Sequence, residues 1–112
     1  MTLYVDRQGH VIKRTTWLAL TARPEYVVIA SDAVAVEGHQ VQVMTMWLGL
    51  NLPSRPRVFE TLLHAVGGNR PCRWMWPSLL QAQVGHRQVV DELATGQPAA
   101  SGSMSTRSNN SR

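Results

Sequence analysis

Gln40-Val-Gln-Val-Met-Thr-Met-Trp-Leu-Gly-Leu50 is the stretch that decides the fold. It is rich in β-branched and aromatic residues, and it alternates as a strand does, sending successive side chains to opposite faces. Val58-Phe-Glu-Thr-Leu-Leu-His-Ala-Val66 repeats the pattern. Between them, Asn51-Leu52-Pro53-Ser54-Arg55-Pro56-Arg57 holds two prolines, which cannot donate to a central ladder, so it reads as a loop joining antiparallel strands. With the loop so centred, Leu48 falls opposite Glu60 and Trp47 opposite Thr61. One face then carries Val41, Val43, Trp47, Phe59, Leu63 and Ala65. The other carries Met44, Met46, Leu48, Leu50, Leu62 and Val66, together with Glu60 and His64. Both faces are apolar, whereas a sheet with helices on one side only normally turns a polar face to water, so either the N-terminal segments cover the second face or a second subunit or partner does.

Upstream, the β-branched run from Tyr26 to Val36 makes a further strand, reversed by Glu37-Gly38-His39. Leu3–Val5 and His10–Ile12 flank a turn at Asp6-Arg7-Gln8-Gly9, a short hairpin. Thr15 is placed to cap a helix of about two turns from Thr16, which Arg23-Pro24 should stop because the residue before proline disfavours the helical region. Downstream, Gly67-Gly68-Asn69-Arg70-Pro71 turns the chain into a strand at Cys72–Trp76. Ser78-Leu79-Leu80-Gln81 is a capping box that opens a helix running to about Ala94, with Leu79, Ala82, His86, Val89, Val90 and Leu93 near one stripe. The expected class is α+β: a small antiparallel meander sheet with a short N-terminal helix and a C-terminal helix packed on it. Residues 1–94 form one domain, and the polar run at 95–112 has too little apolar surface to offset ordering entropy and reads as a disordered tail.

Size and composition narrow the function classes. A chain of 112 residues supports one core, and a hydrophobic content of 44% with four Trp can fill it. Apolar runs fall far short of the ~18 residues of a membrane helix. The start, Met1-Thr2-Leu3-Tyr4-Val5-Asp6-Arg7, lacks the pattern of a signal peptide, which points to the cytosol of a bacterial or infected host cell. Cys72, the single cysteine, excludes an internal disulfide and a zinc ribbon. The net charge is +4, but Arg107 and Arg112 lie in the tail, so the domain carries nine basic against seven acidic side chains. That balance is modest beside the clustered charge that phosphate binding uses.

Met46-Trp47-Leu48-Gly49-Leu50 and Phe59-Glu60-Thr61, separated by the proline-bearing loop, resemble a family of small uncharacterised actinobacterial and phage proteins with a Trp-Leu-Gly-Leu-Asp-His, Pro, Phe-Glu-Thr-Met-Val-Phe pattern. Tyr4-Val5-Asp6-Arg7-Gln8-Gly9, Trp17, Pro24-Glu25-Tyr26 and Gly85-His86 extend the resemblance over roughly residues 4 to 93. The family's Asp-His is Asn51-Leu52 here, its glycine-rich loop is Ser54-Arg55-Pro56-Arg57, and its Met-Val-Phe is Leu62-Leu63-His64. The resemblance implies a phage-type accessory protein and supplies no reaction or cofactor.

Three groups of residues could carry function. If the C-terminal helix docks on the Met-bearing face, His86 meets Glu60 or His64, a buried polar cluster that either satisfies itself or does acid–base or metal chemistry. Arg55 and Arg57 precede a strand while Arg70 and Arg73 follow it beside Trp74 and Trp76. Such residues grip phosphate and stack bases, or anchor a protein interface, although the two Arg pairs sit roughly 25 to 30 Å apart along the strand. Cys72 reads as a small buried thiol. No Gly-x-Ser-x-Gly, P-loop, Gly-x-Gly-x-x-Gly or His-Glu-x-x-His motif is present. The reading favours a non-enzymatic interaction protein that modulates a host or defence complex through Trp47 and the Arg and Trp residues. It binds a protein partner or a second copy, and neither a membrane nor a cofactor. A nucleic-acid-binding module is the alternative, and a small enzyme or metal site around Glu60 and His86 the third.

Overall fold

The computed structural model describes residues 2–65 and 72–95. The expected turn at 67–71, with Arg70, and the tail from 96 onward lie outside them, as does Val66. The α+β architecture is as expected. Six antiparallel strands, β1 (Leu3–Val5), β2 (Val11–Ile12), β3 (Val28–Val36), β4 (His39–Asn51), β5 (Pro56–Ala65) and β6 (Cys72–Trp76), form one sheet. Helices α1 (Arg14–Thr21), α2 (Pro24–Val27) and α3 (Leu79–Ala94) pack on it. β3 to β6 are a meander. The long β4 shares one edge between β3, opposite residues 39–46, and β1, opposite Leu50 and Asn51, and gives its other edge to β5.

Local chemistry sets the turns. Asp6 Oδ1 accepts the backbone N–H groups of Gln8 and His10, both at 2.9 Å, closing the first hairpin. Glu37 and Gly38 both have positive φ (52° and 83°) between the paired Val36 and His39, the two-residue turn whose twist matches that of the strands. The β4–β5 loop is shorter than the prolines suggest. Asn51 pairs with Pro56 and Leu50 with Arg57, so only residues 52–55 lie between strands, and Pro56 sits at the first strand position, where its missing N–H is tolerated.

The β4–β5 register differs from expectation by two residues near its centre: Trp47 faces Phe59, Met46 faces Glu60 and Thr45 faces Thr61. The shorter loop and a bulge between Trp47 and Leu50 cause the shift. Because strands repeat every two residues, a slip of two leaves residues 41–47 and 59–64 on their expected faces. Gly49 sits in the bulge at φ 72°, and a Cβ there would overlap the rings of both Trp47 and Trp17. The Trp47 indole N–H donates to the Val5 carbonyl at 3.0 Å, and that of Trp17 to the Leu48 carbonyl at 2.9 Å. Trp-Leu-Gly-Leu is therefore a structural device, in which two indoles close over a backbone that only glycine can supply.

All three helices pack apolar side chains on one face. Trp17 and Leu20 of α1, Tyr26 and Val27 of α2, and Leu79 and Ala82 of α3 pack with Val5, Trp47 and Phe59. Burying Trp47 and Phe59, each 1% exposed, contributes on the order of 2–3 kcal/mol apiece. α1 begins earlier than Thr15 suggested. Lys13 is its N-cap, with no side-chain cap bond, because docking of Trp17 on Tyr4 and Leu48 fixes the helix where capping propensity alone would not. The α3 start is as read: Ser78 Oγ accepts the Gln81 N–H at 3.2 Å, and the Gln81 side chain meets the Ser78 hydroxyl rather than its backbone.

Candidate functional site

α3 docks on the face of Val43, Trp47 and Phe59, not on the methionine face, and this regroups the expected polar cluster. Gly85 makes the close approach possible, since a Cβ there would overlap the Trp76 ring. His86, the next residue, reaches the sheet at Thr45, whose Oγ1 lies 2.7 Å from its Nδ1. Thr45 Oγ1 contacts Thr61 Oγ1 across the β4–β5 pair, and Thr61 Oγ1 accepts the Trp76 indole N–H at 2.9 Å. On the far side of the imidazole, Nε2 lies 2.7 Å from Asp32 Oδ2 on β3. Glu60 and His64 take no part: Glu60 alternates with Thr61 and so points to the opposite face, and His64 is exposed at the register of Gln42.

The donors in this relay run in one direction. A carboxylate only accepts, so His86 Nε2 carries a hydrogen toward Asp32, and in the neutral ring Nδ1 is then an acceptor. Thr45 must donate to Nδ1, Thr61 to Thr45, and Trp76 to Thr61, which satisfies every group. A second proton on Nδ1 would reverse both hydroxyls and leave the Thr61 hydrogen without an acceptor among the described groups. Successive bonds of one polarity reinforce each other in a low-dielectric interior. Thr45 and Thr61 are wholly buried and His86 is 5% exposed, so no substrate reaches a hydroxyl and the set is not a nucleophilic triad.

At the Asp32 end the relay meets solvent, that side chain being 54% exposed. It stands in a cleft of about 570 Å³ between β3, with Ile29 and Ala30, and α3, with Gln83, Arg87 and Val90. His86 forms part of the lining. Asp32, Thr45 and Thr61 escaped the sequence reading. The available signal was a pair of threonines in register on an otherwise apolar face, with a histidine on the helix stripe that covers it.

The opposite face of the sheet carries no helix among the described residues. Met44, Met46, Leu48, Leu62 and Met75 are half-buried there. At its centre Glu60 is 6% exposed, and its Oε2 makes no hydrogen bond. Arg73 Nη1 stands 3.4 Å from that oxygen, near enough for charge attraction but not aligned to donate. The sequence left open whether the N-terminal segments cover this face; α1 and α2 pack on the other one.

The other expected site residues disperse. Trp47 is a core residue, not a surface anchor. Arg73 lies on the methionine face, while Trp74 and Trp76, beside Thr61 and Phe59, lie on the helix face, so these Arg and Trp residues form no single surface. Arg55 is exposed in the loop, and Arg57 is half-buried on β5. Since Arg73 pairs with Leu62, five residues along β5 from Arg57, the two basic positions are roughly 17 Å apart along the strand, closer than expected. Cys72 is exposed rather than buried.

No protein-family model, characterised protein or solved structure matches this chain. No described helix is long and apolar enough to cross a membrane. Among the described residues, no three His, Cys, Asp or Glu side chains are grouped to hold a metal ion.

Proposed function

We propose that this is a non-enzymatic interaction module that binds a protein partner through the methionine face, in keeping with the small phage-type accessory proteins it resembles. The observation that carries the reading is the asymmetry of the sheet: three helices crowd one face, and the other keeps an apolar surface with an unsatisfied carboxyl oxygen at its centre. Contiguous exposed apolar surface usually marks an interface, and methionine suits one because its flexible, polarisable side chain repacks against varied shapes. The partner that fits brings an apolar surface that covers this face. In this reading the partner is a host or phage complex whose activity the module occludes or redirects.

The test is affinity purification of the full chain from producing cells alongside Met46→Glu and Leu62→Glu, with sedimentation of each purified protein. One stoichiometric partner retained by the wild type and lost by both folded variants supports the proposal. Retention by both variants overturns it, as does a wild type that sediments as a dimer sealed by this face.

A further inference from the structure

We propose that the cleft between β3 and α3 binds a small zwitterion of the α-amino-acid class, with its ammonium on Asp32, its carboxylate on Arg87 and an apolar side chain against Ile29 and Val90. The site is on the helix side of the sheet and is independent of the methionine face. Its volume, about 570 Å³, lies within the range of small-molecule sites.

Asp32 is the reason to read this cleft as built. The donors of Trp76, Thr61, Thr45 and His86 all aim toward it, and the last bond, from His86 Nε2 to Oδ2 at 2.7 Å, fixes the side chain. Oδ2 is thereby occupied, and Oδ1, on a side chain 54% exposed, makes no hydrogen bond among the described residues. A carboxylate oriented by a buried chain and half exposed in a cleft is a ready acceptor for an ammonium group. Buried polar chains of this kind add little net stability over apolar packing, so a role at their exposed end accounts for one at the centre of so small a core.

The opposite wall supplies the second charge. Arg87 is exposed and makes no ion pair among the described residues, and its guanidinium is suited to grip a carboxylate through two parallel bonds. A lone cation would be repelled by Arg87 and a lone anion by Asp32, whereas a zwitterion satisfies both. Gln83 adds a carboxamide at the rim, and Ile29, Ala30 and Val90 leave an apolar strip for a side chain. An extended peptide fits less well. The edge of β3 that is unpaired among the described residues has a bulge between Val28 and Ala30 and a charge at Asp32, both of which oppose strand addition.

The experiment is calorimetric titration of the full chain with L-alanine, L-valine, L-leucine and L-phenylalanine. Whichever binds is then compared with its amide, which keeps the ammonium alone, and its deaminated acid, which keeps the carboxylate alone. Saturable binding is expected, weakened at least about tenfold in each analogue and in Asp32→Asn and Arg87→Gln, each loss being that of one charge-assisted bond. The carboxamide in Asp32→Asn would still accept from His86, and unchanged circular dichroism and melting would establish that both variants fold. No binding of any of the four at about 10 mM, equal binding of either analogue, or wild-type affinity in either variant overturns the proposal.

Discussion

Thr45→Val cuts the buried relay at its most informative point. Valine keeps the shape of threonine and removes the hydroxyl that donates to His86 Nδ1 and accepts from Thr61. One acceptor and one donor are orphaned in a region closed to water, at about 1–3 kcal/mol each, so roughly 2–6 kcal/mol is lost from a total stability of about 5–15. Thr61→Val cuts the same chain one step earlier. Thr45 still donates to His86, and only the Trp76 N–H loses its partner, a cost of about 1–3 kcal/mol. Two threonines facing each other across a strand pair, equally buried, are thus expected to differ by about 1–3 kcal/mol because the chain has a direction. Urea unfolding followed by Trp fluorescence and circular dichroism measures this. With a slope of about 1 kcal/mol/M, the midpoints separate by about 1–3 M, Thr45→Val being the less stable. Equal midpoints, or a lower one for Thr61→Val, would refute the assigned direction and with it the neutral Nε2–H form of His86.

Other expectations follow from single residues. Gly49→Ala combines a positive φ with overlap of two indoles and should cost more than about 2 kcal/mol in the same assay. Glu37→Asn relieves a left-handed residue in the β3–β4 turn, where asparagine is favoured, and should raise stability by about 0.5–1 kcal/mol. The Arg23 side chain hydrogen-bonds Glu25 at 2.7 Å and holds its carboxyl below the ordinary glutamate value. Its contribution is therefore complete above the unfolded-state value and lost as pH falls through the folded one. An NMR titration should find the Glu25 midpoint below the glutamate norm, rising in Arg23→Gln.

The fold was legible where one physical rule dominates. Gly38 in a chain reversal, Ser78 before an apolar stripe, and the alternation of Val41, Val43 and Trp47 against Met44 and Met46 each specify a local answer, and these faces survived a register error because it was even as far as Trp47. α1 was misread at its start because docking of Trp17, not a cap, decides where it begins. The polar relay was not legible. Asp32 and His86 are 54 residues apart and meet only once α3 has chosen a face. That choice depends on Gly85 clearing Trp76, a fit that composition and periodicity do not encode. Trp47 drew attention as a surface anchor because aromatic residues serve interfaces and cores alike.

The central claim is that one sheet face is sealed by helices and the other is kept for a partner. Hydroxyl-radical footprinting of the isolated protein and of the complex purified from producing cells tests it directly. Met44, Met46, Met75 and Leu62 should be labelled in the isolated chain and protected in the complex, while Val43, Trp47 and Phe59 stay unlabelled in both. Equal labelling of the three methionines in the two samples, or their protection in the isolated monomer, would contradict the account.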